Sequence, residues 1–97
     1  MNITNVTITK IAEEKTENAS YVLEYSIVNE ELSRLHVSVN EKEAGEDGNI
    51  KPVGIIYMEQ GVISCNLPVE IELGPIFQDF DRMRQYIRKS INPKKQS

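Results

Sequence analysis

The sequence predicts a single α+β domain over residues 1–92, with an antiparallel sheet of about five strands in a meander and one C-terminal amphipathic helix packed on one sheet face. Two observations predict this class. Segments in which apolar and polar residues alternate follow one another through most of the chain, joined by short polar stretches. An apolar stripe with helical spacing then occupies the C-terminal part. Strands in a run followed by one helix favour antiparallel neighbours covered on one side.

The first two strands are predicted at about residues 3–11 and 21–28. In the first, Val6 and Ile8 alternate with threonines, which is typical of strands because β-branched residues suit a pleated surface. Residues 13–18 are too polar to pack, so we expect an exposed loop there. The second strand has the clearest alternation in the chain, with one fully apolar face made of Tyr21, Leu23, Tyr25 and Ile27.

The third strand is predicted at about residues 35–40, with one apolar and one polar face. Residues 41–49 follow it and hold four acidic side chains and two glycines. Because an Asp-Gly pair is a turn signal, the dipeptide Asp47-Gly48 indicates a hairpin loop that leads into the next strand.

The fourth and fifth strands are predicted at about residues 53–58 and 62–67. Pro52 cannot donate to a strand ladder, so we place it at a strand start or a sheet edge. In the fifth strand Ile63, Cys65 and Leu67 share one face. Residues 69–73 alternate again and predict a short extension or a sixth strand.

The helix is predicted from Gly74 to Asn92. Pro75 suits the first helical position, and Pro93 ends the helix because the residue before a proline avoids helical angles. Asp79 with Arg82, and Asp81 with Arg84, are spaced as i,i+3 pairs of structural rather than catalytic character. The stripe that must be buried is Ile76, Phe80, Met83, Ile87 and Ile91, with Phe77 at its edge.

The charges are divided unevenly along the chain. Residues 1–81 hold all fifteen acidic residues and five of the eleven basic ones, a net charge of −10, whereas residues 82–97 hold six bases and no acid, so that the total is −4. We expect residues 93–97 to be a disordered basic tail. Only Tyr86 offers a stacking ring near these bases, and the acidic body repels phosphate, which argues against a nucleic-acid partner.

Several other classes are disfavoured by simple counts. Cys65 is the only cysteine and cannot form an internal disulfide. The N-terminus lacks the basic start and apolar run of a signal peptide. No apolar stretch approaches the ~18 residues of a membrane span. We therefore expect a cytoplasmic protein with no membrane partner.

Residues that could carry chemistry are few. His36 lies on the polar face of a predicted strand, and Cys65 shares its alternation with apolar neighbours, as buried structural thiols do. One histidine and one cysteine are too few for a zinc site within one chain. The glycines match no phosphate-binding motif. We expect no catalytic, cofactor-binding or metal-binding residue, and hence no enzyme and no cofactor.

The leading hypothesis is a non-enzymatic protein-binding or assembly module. Both faces of the central strands are partly apolar, with Val53, Ile55 and Tyr57 opposing Ile56 and Met58, and one helix covers only one face. Another protein or a second copy in a homodimer would cover the other face. The expected partner-binding residues are Val22, Val28, Tyr57, Arg84 and Arg88.

Two alternatives remain open. Acidic residues in the loops could mimic nucleic acid, which would make the chain a small acidic inhibitor. A pocket between sheet and helix could instead hold a small ligand or an active site. Many unrelated proteins share a sheet followed by a helix, so the fold alone does not assign a function.

Overall fold

The computed structural model describes residues 6–91, which form a five-stranded antiparallel sheet and one helix. Each strand pairs with the next along the chain, so the spatial order equals the sequence order. The predicted α+β meander with one C-terminal helix is therefore confirmed. The elements are β1 (Thr7–Lys15), β2 (Ser20–Val28), β3 (Glu31–Asn40), β4 (Pro52–Glu59), β5 (Val62–Asn66) and α1 (Leu73–Ile91).

Two tight hairpins close one end of the sheet. Asn29 and Glu30, between β2 and β3, have φ values of 50° and 69°. Gln60 and Gly61, between β4 and β5, have φ values of 52° and 78°. Two successive residues with positive φ are the mark of type I′ turns, whose twist matches that of the strands they join. These turns set the register of both hairpins.

The predicted turn in the β3–β4 loop is confirmed. Gly48 has a φ of 79°, and its N–H donates to the carbonyl of Gly45 at 2.9 Å. The N–H of Asn49 donates to Oδ1 of Asp47 at 3.0 Å, so the aspartate side chain holds its own turn.

Helix α1 packs on one sheet face, chiefly over β3. Leu35, Val37, Val39 and Ile56 have no exposed surface at all. Burying a side chain of this size is worth about 1.5–3 kcal/mol, so this layer supplies most of the stability. The core consists of Ala19, Tyr21, Leu23, Leu35, Val37, Val39, Ile56, Ile76, Phe80, Met83 and Ile87.

Strand β1 is longer than predicted. It continues through Lys15, which pairs with Ser20 of β2, although residues 13–18 were expected to form an exposed loop. β2 supplies hydrogen-bond partners for the backbone of this polar stretch along its whole length. These hydrogen bonds outweigh the polar composition that predicted a loop. The start of the predicted first strand, residues 3–5, lies outside the described residues.

The predicted strand at residues 69–73 is wrong. Residues 69 and 70 form a turn, and α1 begins at Leu73. Val69 is 88% exposed, so its alternation with glutamates does not reflect a buried face. Pro75 is the third residue of α1 rather than the first, still within the first turn, where its missing N–H is not needed. The predicted tail at residues 93–97 lies outside the described residues.

The prediction that Val53 shares a face with Ile55 and Tyr57 is also wrong. Val39 pairs with Gly54 whereas Asn40 pairs with Pro52, which leaves Val53 as an extra residue at a β-bulge. Val53 packs against the core under α1, whereas Ile55 is exposed. A bulge of this kind turns one side chain to the other face of the sheet.

Candidate functional site

The sheet face opposite α1, here called the open face, has no element of residues 6–91 packed on it. Strand pairing assigns side chains to this face, because directly opposed residues point to the same side. Its central strands contribute Val22 of β2, His36 and Ser38 of β3, and Ile55 and Tyr57 of β4. Across all five strands, the large apolar side chains on this face are Ile11, Val22, Val28, Ile55, Tyr57 and Val62.

The centre of the open face is a mixed patch, in which three exposed apolar side chains lie around the polar Ser38 and His36 of β3. Val22 and Ile55 both lie opposite Ser38, and their exposed fractions are 37% and 36%. In the adjacent row Tyr57 lies opposite His36, with the ring centroids 6.4 Å apart and the planes tilted by 49°. Tyr57 is 42% exposed. Val22 and Ile55 lie on the two strands that flank β3, about 10 Å apart, with the Ser38 side chain between them.

Polar groups surround this patch. Glu24 and Arg34 form an ion pair at 3.6 Å, with side chains that are 42% and 47% exposed. Such a pair contributes at most about 1 kcal/mol to stability. Thr9 and Ser26 share a hydrogen bond at 3.3 Å between their hydroxyl groups. Apolar side chains interspersed with polar ones and bordered by polar groups match the composition of a protein-binding surface, which as a whole is only about as apolar as the rest of a protein surface.

The expected partner-binding residues lie on two separate surfaces. The structure places Val22, Val28 and Tyr57 on the open face, but Val28 lies at the β2–β3 turn, away from the other two. Arg84 and Arg88 belong to α1, which packs on the other side of the sheet. Nη2 of Arg84 donates to Oδ1 of Asp81 at 2.7 Å, so this arginine already has an acidic partner.

A cluster of polar side chains lies between α1 and the β1–β2 turn. Asp79 is only 8% exposed. Its Oδ2 accepts hydrogen bonds from the Tyr21 hydroxyl at 2.6 Å, from Oγ1 of Thr16 at 2.7 Å and from Nδ2 of Asn18 at 3.0 Å. Its Oδ1 lies 3.7 Å from Nη2 of Arg82. The cluster fastens the turn between the first two strands to the helix.

The electrostatics of this cluster agree with a structural role. Burial by itself raises the pKa of Asp79, but the hydrogen bonds from Tyr21, Thr16 and Asn18, together with Arg82, outweigh burial and lower this pKa. Burial, followed by the neighbouring Asp79, raises the pKa of Tyr21. Asp79 is therefore a carboxylate and Tyr21 a neutral phenol at neutral pH. Neither is poised near pH 7 as a general acid or base would be.

The spacing of the sequence carried a signal for this cluster that the sequence analysis missed. Asp79 was assigned only a surface pair with Arg82. It follows Ile76 by three residues and precedes Met83 by four, which places it on the flank of the buried stripe. The ion pair with Arg82 is present, but most of the contacts of Asp79 come from the β1–β2 turn and β2.

Two grooves run along the flank of α1 that faces β1. One, of about 460 Å³, is lined among others by Ala12, Tyr25, Met83 and Tyr86. The other, of about 620 Å³, is lined by β1, β2 and the end of α1, including Ile8 and Tyr25. Neither groove is lined by a histidine or a cysteine.

The sole histidine and the sole cysteine do not meet. His36 lies on the open face, whereas Cys65 pairs with the buried Ile56 and thus lies on the α1 side. Cys65 is exposed, against the expectation of a buried thiol, because α1 covers the middle of the sheet rather than β5. Within residues 6–91 no group of three or more potential ligands is arranged to hold a metal ion.

The single helix of the described chain lacks the length and apolar character that crossing a bilayer requires. Comparison with known proteins adds no relative. No family model, no curated protein and no solved structure matches this chain.

Proposed function

We propose that this chain is a non-enzymatic protein-binding module that docks a partner protein on its open face. The observation that carries the proposal is the group of exposed apolar side chains Val22, Ile55 and Tyr57, which lie around Ser38 and His36 on a sheet face that no described element covers. A sheet with one apolar face already packed normally presents polar residues on the other. Apolar side chains gathered there indicate a surface that is buried in a complex.

The shape and chemistry of the patch favour a protein over a small molecule. Small ligands are held in concave sites that enclose most of their surface, whereas a sheet face offers a broad surface. Five strands about eight residues long cover roughly 600 Å², near the low end of the area that each partner buries in a specific complex. Tyr57 near its centre is the residue type that most often anchors such interfaces.

The acidic-mimic alternative receives less support from the positions of the carboxylates. Glu14, Glu24 and Asp81 are engaged with arginines, and Asp79 is buried. The remaining acidic residues are divided between the two ends of the sheet, for example Glu30 in one hairpin turn and the acids of residues 41–47 in the loop at the other end. This scatter suits solubility better than an imitation of regularly spaced phosphates.

The test is affinity capture with matched valine variants. Wild-type protein and Val69→Ser should retain the same captured protein from the native cell, because Val69 is 88% exposed and lies outside the sheet. Val22→Ser and Tyr57→Ala should lose it. With the captured protein purified, each open-face variant should weaken binding at least tenfold, about 1.4 kcal/mol.

Circular dichroism melts of all four proteins should be alike, which separates lost binding from lost folding. Equal capture by wild type and both open-face variants would contradict the proposal. A second copy docked on the open face is the alternative occupant, and it would appear as a dimer that Val22→Ser dissociates. The cytoplasmic location expected from the sequence belongs to the same proposal, and fractionation of native cells tests it.

A further inference from the structure

Strand β1 forms one edge of the sheet. No strand within residues 6–91 pairs with its outer side. It is nine residues long, contains no proline, and pairs with β2 without a bulge. Natural edge strands are usually shortened, bulged, interrupted or charged so that they do not pair with another chain, and of these features β1 has only its four charged side chains. The other edge, β5, is only five residues long and contains no charged residue.

The pairing pattern shows which backbone groups of β1 are unpaired. The carbonyl of Val6 accepts from the N–H of Asn29, and the N–H of Thr16 donates to the carbonyl of Ala19. In an antiparallel ladder every second residue is bonded to the same neighbour, so the even-numbered residues of β1 bond to β2. The outward N–H and C=O groups therefore belong to Thr7, Thr9, Ile11, Glu13 and Lys15.

We propose that β1 pairs antiparallel with β1 of a second copy, around a two-fold axis at Ala12, and so joins two sheets into one of ten strands. In this register Lys10 lies directly opposite Glu14 of the second copy, and the symmetry creates this pair twice. Opposite charges in directly facing positions stabilise strand pairing. The outward groups of Ile11 and Glu13 then bond to each other across the axis.

Charge selects this register over its neighbours. A two-fold axis perpendicular to the sheet leaves each side chain on its own face only if the axis passes at a residue position, because a slip of the strands by one residue exchanges the two faces. The competing registers therefore place the axis at other residues of β1. Axes at Lys10, Glu13 or Glu14 place like charges directly opposite. An axis at Ile11 avoids repulsion but leaves Lys10 opposite Ala12, without an acidic partner. An axis at Glu14 also pairs Glu13 with Lys15, so only the axis at Ala12 pairs opposite charges without placing like charges directly opposite.

The exposure of β1 on the α1 side agrees with this arrangement. The helix leaves Ile8 and Ala12 exposed, although they face the same side as the core, and Ile8 is 47% exposed. Pairing would place the second sheet beside these two residues. The groove lined by Ala12 and Tyr86 would then be continuous with the same groove of the second copy. The open faces of the two copies would also become continuous, which would double the docking surface proposed above.

The first experiment measures mass in solution by light scattering and sedimentation between 1 and 100 µM, on the order of typical protein–protein affinities. Wild type should approach twice the chain mass of 11.1 kDa. Glu13→Pro removes an outward N–H and should yield monomer with an unchanged circular dichroism melt. Ala12→Pro is the matched contrast, because it removes an inward N–H and should destabilise the fold itself.

The second experiment exchanges the charges. Lys10→Glu should raise the dimer dissociation constant at least tenfold, and the double variant K10E/E14K should recover part of the loss, since it restores the opposite-charge pairs but gives up the ion pair of Glu14 with Arg82. Lys51→Glu makes the same charge change in the β3–β4 loop and should leave the constant unchanged. A wild type that is monomeric at 100 µM would overturn the proposal. So would a dimer that Glu13→Pro and Lys10→Glu leave intact, or one that Val22→Ser dissociates.

Discussion

Replacing Asp79 by alanine is expected to lower the free energy of unfolding by about 3–5 kcal/mol, because three hydrogen bonds to its carboxylate are lost together. The largest contribution comes from Tyr21, which is 1% exposed and donates to Asp79 at 2.6 Å. A hydrogen bond to a charged group is worth about 1.5–3 kcal/mol, and the Tyr21 hydroxyl would lose its charged acceptor. Thr16 and Asn18 are less buried and can turn to solvent, so each adds less.

Urea denaturation followed by circular dichroism measures this loss. Asp81→Ala is the matched control, because Asp81 lies on the same helix and pairs with Arg84 at 2.7 Å, but its side chain is 62% exposed. Exposed pairs contribute little, so the control should lose less than about 1 kcal/mol. Both variants introduce the same helix-favouring alanine. Equal losses for Asp79→Ala and Asp81→Ala would refute the reasoning.

Three further predictions concern stability. Folding lowers the pKa of Asp79, so its contribution to the free energy of unfolding is complete above the unfolded pKa of about 3.9 and is lost as the pH falls through the folded pKa. Urea melts of wild type and Asp79→Asn should therefore converge in acid. Phe80→Ala should cost about 3–5 kcal/mol since Phe80 is 3% exposed, and a loss below ~1 kcal/mol would contradict the packing. Gly54→Ala should cost about 1–3 kcal/mol, because a Cβ there would overlap the Asn66 carbonyl oxygen. Gly45→Ala, whose Cβ would lie 3.5 Å from its nearest neighbour, should melt like wild type.

Local periodicity was sufficient to predict the element types and the main core. The alternation of Tyr21 and Leu23 and the helical spacing of Phe80 and Met83 report directly which side of an element is buried, because side-chain direction repeats with the backbone. The same alternation also predicted that Val22 and Tyr57 would share a second apolar face. These features need no knowledge of distant partners.

Tertiary structure decided what depends on contacts between distant segments. β1 continues through polar residues because β2 supplies hydrogen-bond partners as far as Ser20. Val53 turns to the core because a bulge forms against β3. Asp79 is buried because the β1–β2 turn closes over it with three hydrogen-bond donors. The position of α1 over the middle of the sheet leaves β1 uncovered. The order of apolar and polar residues within a segment shows which of its sides is apolar. Whether that side is buried also depends on which other segments pack against it.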